Sequence, residues 1–255
     1  MNTTRQVIAL ASLVLAPVIA SAQTPVQGAV PSGVAGKFSF TVKGGLETNW
    51  GGDVHEGGSG QILSAPAEVG ARSFNDHYDP GTRFSFGAGY GFSHRLEAIV
   101  AFSFGQQSAE EIEIGSVNGR SLRAEFADYQ DWTLEFGARY HLKPESRFDP
   151  YVSAVAGFRR VDAIPILTLS VPDIGVTLTN VGFYDESTVA MFGFDFGFEY
   201  RMRPNVGLGV EMGYRWQGKP GQIEGFEAET GLQSLNDVGS RYALPVLGFV
   251  TFRFE

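Results

Sequence analysis

No cysteine occurs among the 255 residues. That excludes disulfides, thiolate metal sites and the lipid-attachment cysteine of a lipoprotein leader. Charge is sparse, at 18% Asp, Glu, Lys and Arg, and it leans acidic, with a net charge of −9. An acidic chain is a poor match for nucleic acid, where affinity rests on Lys and Arg meeting phosphates. Long apolar runs are also missing. After residue 22 none approaches the roughly 20 residues that a membrane-crossing helix needs.

What is present begins with a secretory pattern. Arg5 and the amino terminus supply positive charge, residues 7–19 form an apolar stretch too short to span a bilayer, and Ala20-Ser21-Ala22 is a small-x-small cleavage site. Residues 1–22 are therefore expected to be removed after Ala22, and residues 23–35, rich in Pro and Gly, to form a flexible periplasmic lead-in. An exported chain without an apolar helix can still enter a membrane as a closed β-barrel, which satisfies every backbone donor and acceptor between strands.

The composition suits that outcome, with 33 Gly, 21 Phe and 9 Tyr but only 43% hydrophobic residues. Eight segments alternate with period two, at about 37–48, 82–92, 95–105, 131–142, 150–160, 188–201, 205–216 and 242–254. In the sixth, Ala190, Phe192, Phe194, Phe196, Phe198 and Tyr200 alternate with Met191, Gly193, Asp195, Gly197, Glu199 and Arg201. The apolar face is aromatic, as a lipid-facing girdle requires, and the other face is rich in glycine, as a crowded lumen requires. Trp132 and Trp216 are expected at the outer interface, and Tyr90, Tyr140 and Tyr200 at the inner one.

Loop lengths sharpen the reading. Links at 93–94, 142–149 and 202–204 are short, whereas those at about 49–81, 106–130, 161–187 and 217–241 are long. Strict alternation puts all short turns on one side of a membrane, which is the layout of a transmembrane barrel and not of a soluble sandwich. The expected fold is all-β, a transmembrane antiparallel up-and-down β-barrel of eight strands occupying residues 36–255. Asn118-Gly119, flanked by Glu111-Ile112-Glu113-Ile114 and by 121–126, is a hairpin signal. It predicts that strands three and four continue to about 20 residues each, beyond the bilayer. A similar hairpin at 164–170 and 176–180 leaves a ten-stranded barrel as the alternative.

These residues resemble the small eight-stranded outer-membrane barrel family, the outer-membrane protein A-type membrane domain and its relatives. The likeness spans about 36–255. It rests on Arg83-Phe84-Ser85-Phe86-Gly87-Ala88-Gly89-Tyr90, on 192–200, on Asp149-Pro150-Tyr151-Val152 and on the terminal Phe249-Val250-Thr251-Phe252-Arg253-Phe254-Glu255. The resemblance implies residence in the bacterial outer membrane and contact with its lipid and lipopolysaccharide. It also implies an assembly signal at Val250, Phe252 and Phe254, read by barrel-assembly machinery and periplasmic chaperones, although Glu255 here follows the closing aromatic. Longer members carry a peptidoglycan-binding domain for which this sequence has no counterpart, so cell-wall tethering is not implied. No cofactor and no metal are expected, and the chain is expected to act as a monomer.

Alternation places Lys37, Lys43, Arg83, Arg95, Arg139, Arg159, Arg201, Arg215 and Arg253 inward, with Glu47, Glu97, Glu135, Asp195, Glu199 and Glu211. An eight-stranded lumen is just wide enough to be filled by side chains, and a buried charge left unpaired costs several kcal/mol. The candidate network is Lys43, Arg83, Glu97, Glu135, Arg139, Asp195, Glu199, Glu211 and Arg215. It reads first as a plug, serving a structural, envelope-integrity or surface-interaction role. The alternative is a narrow gated channel in which Lys43 or Arg139 changes partners among Glu97, Glu135, Asp195 and Glu211.

Enzymatic barrels are the least favoured class. The His-x-Ser pair of lipid A deacylases is absent around His55, His77, His94 and His141; Asn75-Asp76-His77-Tyr78-Asp79 offers only a rim Asp–His pair of the kind rim-active proteases use. The acidic loops read as a solvated, repulsive surface or as a divalent-cation site near lipopolysaccharide with Glu110, Glu111, Glu113, Asp185 and Glu186 as oxygen donors, although no loop has calcium-motif spacing. The apolar third loop, 163–181, suggests a partner surface or a shelter for a small hydrophobic ligand.

Overall fold

The computed structural model describes residues 33–62, 64–223 and 239–255. The expected signal segment and residues 23–32 of the lead-in lie outside them. Eight antiparallel strands close into a barrel: β1 (Phe38–Gly51), β6 (Gly81–Gly91), β7 (Leu96–Gln107), β10 (Tyr129–His141), β11 (Phe148–Val161), β14 (Ser187–Arg203), β15 (Val206–Gln217) and β17 (Arg241–Phe254). Each strand pairs with its sequence neighbour in the barrel, and β17 returns to β1, with Phe38 opposite Phe254 and Leu46 opposite Val246. No described helix is long and apolar enough to cross a membrane.

Period two decides the two faces. Because successive side chains point to opposite sides of a strand, Phe192, Phe194, Phe196, Phe198 and Tyr200 all stand outward and exposed, while Met191, Asp195, Glu199 and Arg201 are buried. Phe194 leaves 66% of its surface exposed, a degree of aromatic exposure that calls for a nonaqueous surrounding. Trp132 pairs with Phe104 and Arg160, and Trp216 with Phe192 and Tyr242, toward the end with long loops. Tyr90 lies opposite Phe38, Tyr140 opposite Leu96 and Tyr200 opposite Phe148, all toward the end with short turns. The two aromatic girdles are therefore where alternation and loop length put them.

At the turn end the last residues of the expected lead-in are held in place. Val34 is buried and its amide donates to the His94 carbonyl, and Gly36 donates to the Gly91 carbonyl at 2.6 Å.

The loop end departs from expectation. The barrel strands do not run on beyond the rim; the long loops fold into a second layer. A seven-stranded sheet is ordered β16-β13-β12-β9-β8-β4-β3, from β3 (Gly58–Ile62), β4 (Ala65–Val69), β8 (Ile112–Val117), β9 (Arg120–Phe126), β12 (Ile164–Val171), β13 (Val176–Asp185) and β16 (Gly221–Gln222). A two-stranded sheet, β2 (Asp53–His55) with β5 (Arg72–Ser73), and the one-turn helix α1 (Phe74–His77) complete it.

The hairpin at Asn118-Gly119 is present, and both residues take positive φ, 49° and 74°, as its tight turn requires. Its strands are separate from β7 and β10 because residues 108–111 are bound to the first loop. Asp79 donates to the Ser108 carbonyl and Glu110 to the His77 carbonyl, and Tyr78 bridges to Ala109. The second hairpin, β12–β13, pairs with β9 and not with any barrel strand, so the barrel has eight strands and not ten.

Between this layer and the barrel lies a second apolar core. It gathers Val54, Ile62, Val69, Phe74, Tyr78, Ile114, Val117, Leu122, Phe126, Tyr129, Ile164, Ile166, Leu169, Val171, Phe183 and Tyr184. The apolar third loop is explained here. Its Ile164, Ile166, Leu169 and Val171 are buried inside the molecule, while Leu167 and Ile174 of the same loop remain exposed.

Candidate functional site

The lumen is where sequence alternation concentrates charge, and the structure brings every one of the nine candidate residues there. Three layers can be followed from the loop end. In the outer layer Arg83 lies 2.5 Å from Glu47 and 2.8 Å from Asp131, and Arg159 lies 3.3 Å from Glu47 and 3.5 Å from Asp131. Arg241 lies 3.2 Å from Glu47 and donates to Asn49 at 2.7 Å and Gln107 at 2.8 Å. Three guanidiniums thus share two carboxylates, and neutral amides supply the missing acceptors.

In the middle layer Arg215 joins Glu135 at 3.0 Å and Asp195 at 2.5 Å, while Lys43 holds Glu211 at 2.5 Å. Tyr151 donates to Glu211 at 2.8 Å, and its ring carries the Arg139 guanidinium 4.3 Å above it. In the inner layer Arg139 reaches Glu97 at 3.3 Å, His141 bridges Glu97 at 3.2 Å and Asp149 at 2.8 Å, Arg201 reaches Asp149 at 2.8 Å, and Arg253 clasps Glu199 at 2.7 Å.

Leaving aside the imidazole of His141, which bridges Glu97 and Asp149, the acidic and basic side chains of the three layers are equal in number. Lys43, Arg83, Arg139, Arg159, Arg201, Arg215, Arg241 and Arg253 face Glu47, Glu97, Asp131, Glu135, Asp149, Asp195, Glu199 and Glu211, eight of each sign, all buried. In a medium of low dielectric such parity matters more than any single distance, because each unpaired ion would carry its full desolvation penalty. Glycine makes the density possible. A Cβ on Gly105 would stand 2.5 Å from Arg83 Nη2 and 2.8 Å from Asp131 Oδ2.

Two residues assigned inward by alternation are elsewhere. Arg95 is exposed in the turn before β7, and Lys37 lies half-buried just ahead of β1, because regular alternation fails outside the strands. The sequence reading missed the lumen positions of Asp131, His141, Asp149, Tyr151 and Arg241, and of the amides Asn49, Gln107 and Gln217. Arg241 had a usable signal, since it shares odd-number parity with Thr251 and Arg253, but it sits where loop and strand meet.

Arg241 also couples the lumen to the cap. Its guanidinium lies 4.2 Å from the Tyr129 ring centre and 5.6 Å from that of Phe74, two members of the cap core. Asn49, which accepts from Arg241, donates to the Phe74 carbonyl at 3.3 Å.

The other candidate constellations do not assemble. Asp76 turns its carboxylate to the Ser73 amide at 2.8 Å and hydroxyl at 2.9 Å, which lowers its pKa, and makes no hydrogen bond to His77. The rim Asp–His pair is therefore not formed. Of the five acidic loop residues, Glu111 pairs with Arg123, Glu113 accepts from Ser121, and Glu186 pairs with Arg160 of β11. Among the described residues no acidic or histidine group of three is placed to hold a metal ion.

A closed eight-stranded barrel with an aromatic exterior and an ionic interior is the architecture that the family comparison then matches. Residues 8–236 fit the family described as outer membrane protein beta-barrel domain. The chain belongs to this family. As a family member it is a bacterial outer-membrane protein. Similar solved structures include Neisserial surface protein A, at 15% identity and a TM-score of 0.47, covering 86% of this chain and 98% of that one. The outer membrane protein OprG from Pseudomonas aeruginosa is similar at 11% identity and 0.44, covering 89% and 99%. The outer membrane protease OmpT from Escherichia coli is similar at 8% identity and 0.41, covering 92% and 100%. Comparison with curated proteins returns no match.

Proposed function

We propose that this outer-membrane barrel is a non-conducting scaffold that anchors a rigid β cap at the cell surface and serves envelope integrity or surface interaction. The carrying observation is the charge parity of the lumen, eight cations against eight carboxylates with no side chain of the set exposed. A pore for small ions needs either a water-filled path or unpaired charge to attract its permeant species, and a balanced, packed lumen supplies neither. The cap's own apolar core over the mouth closes the same path a second time. In this reading the rings at Trp132 and Trp216 meet the lipopolysaccharide leaflet, and Val250, Phe252 and Phe254, outward-facing on β17, are the element read by the assembly machinery.

Purified protein in planar bilayers is expected to show no discrete conductance steps. Reproducible steps that change in Lys43→Ala or Glu135→Ala would replace the plug with the gated channel. The two roles separate in cells lacking the protein. A barrel whose cap hairpins are replaced by tight turns restores detergent resistance if the role is envelope integrity, and fails to restore the lost phenotype if the displayed cap carries it.

A further inference from the structure

The cap core contains two residues that do not belong in an apolar interior. His55, on β2, and His77, ending α1, are each exposed by only 1%. Their ring centres are 5.2 Å apart, and Phe126 lies against both, 4.6 Å from His77 and 6.3 Å from His55. Of the four ring nitrogens only His55 Nδ1 has a neighbour, the Glu56 carbonyl at 3.3 Å. His55 Nε2 and both nitrogens of His77 have no hydrogen-bond partner.

We propose that His55 and His77 form an acid-sensitive lock, in which protonation inside this core releases β2, β5 and α1 from the barrel mouth and exposes the aromatic cluster of Phe74, Tyr78 and Phe126. The surrounding groups leave no place for a proton. Asp76 favours both charged rings, Asp53 that of His55 alone, and Arg72 opposes both, but none of the three hydrogen-bonds to a ring nitrogen. Arg72 donates instead to the Glu113 carbonyl, and the phenols of Tyr78 and Tyr184 are spent on the carbonyls of Ala127 and Val54. A second proton would also place two like charges side by side.

The direction follows from linkage. Burial brings His55 down to about 4 and His77 to about 3. In the open cap both return to about 6.5, so the open form binds more protons and the closed form loses stability as pH falls below that value. Between pH 7.5 and pH 5 each histidine favours opening by about 30-fold, and the pair by about 900-fold.

The test is amide hydrogen exchange, corrected for intrinsic pH dependence, on the full protein refolded in lipid nanodiscs. Amides of residues 53–55 and 72–78 are expected to lose about a hundredfold or more of their protection between pH 7.5 and pH 5, while β10 and β14 keep theirs. In H55F/H77F the loss disappears. Equal loss in that variant, or no loss in the parent protein, overturns the proposal. If H55F/H77F does not reach the folded barrel on gels, the single variants H55Q and H77Q serve, each expected to reduce the response to about 30-fold; an unchanged response in both overturns it as well. A conducting barrel would overturn the plug reading without touching this result.

Discussion

Arg241 is the residue on which the two halves of the molecule meet. Its charge is held by Glu47, Asn49, Gln107 and Gln217 below and by the Tyr129 and Phe74 rings above. Arg241→Met leaves Glu47 with two cations and removes the contact to the cap, and is expected to cost about 3–5 kcal/mol. Arg160→Met breaks the half-exposed pair with Glu186 and is expected to cost no more than about 1 kcal/mol. Urea unfolding of both variants in micelles checks this, and equal losses would refute the special position of Arg241. Gly105→Val forces Arg83 and Asp131 apart, so a smaller fraction should reach the heat-resistant folded band during refolding than for Thr168→Val on the cap.

At the scale of elements, the cap is a set of hairpins, each too small to stand alone, made stable by pairing side by side and by burying one face. The β8–β9 hairpin depends on the turn at Asn118-Gly119. Gly119→Val places a branched side chain at φ 74°, and should cost roughly 1–2 kcal/mol or more. The loss belongs to the cap. Hydrogen exchange should accelerate over residues 112–126, while β14, whose partners are β11 and β15, stays protected. Acceleration spread evenly over the barrel would mean that cap and barrel unfold as one unit.

For the whole molecule, the proposed closure rests on two independent features, a balanced lumen and a covered mouth. Replacing residues 109–127 with a tight turn should therefore leave the barrel folded and still silent in planar bilayers. Conductance appearing once this hairpin is gone would show that the cover over the mouth, not the lumen, is the seal. The acid response belongs to the cap as well: heat-resistance of the barrel on gels should change little between pH 7.5 and pH 5, even where cap amides have become exchangeable.

The period of two, the aromatic ring positions and the alternation of short and long links were all written locally, in residues such as those from Phe192 to Tyr200. The favoured count of eight strands followed from them without any long-range knowledge. Thirteen of the sixteen lumen charges were legible for the same reason, since parity within a strand fixes which way a side chain points. Arg241, Asp149 and His141 were harder to read because they sit at strand ends, where parity starts or stops. The cap was decided only in three dimensions. Its strands pair across loops far apart in the chain, β4 with β8 and β9 with β12. No local pattern records such partners, because the free energy that selects them is the burial of a shared apolar face, and that face exists only once the barrel has brought the loops to one mouth.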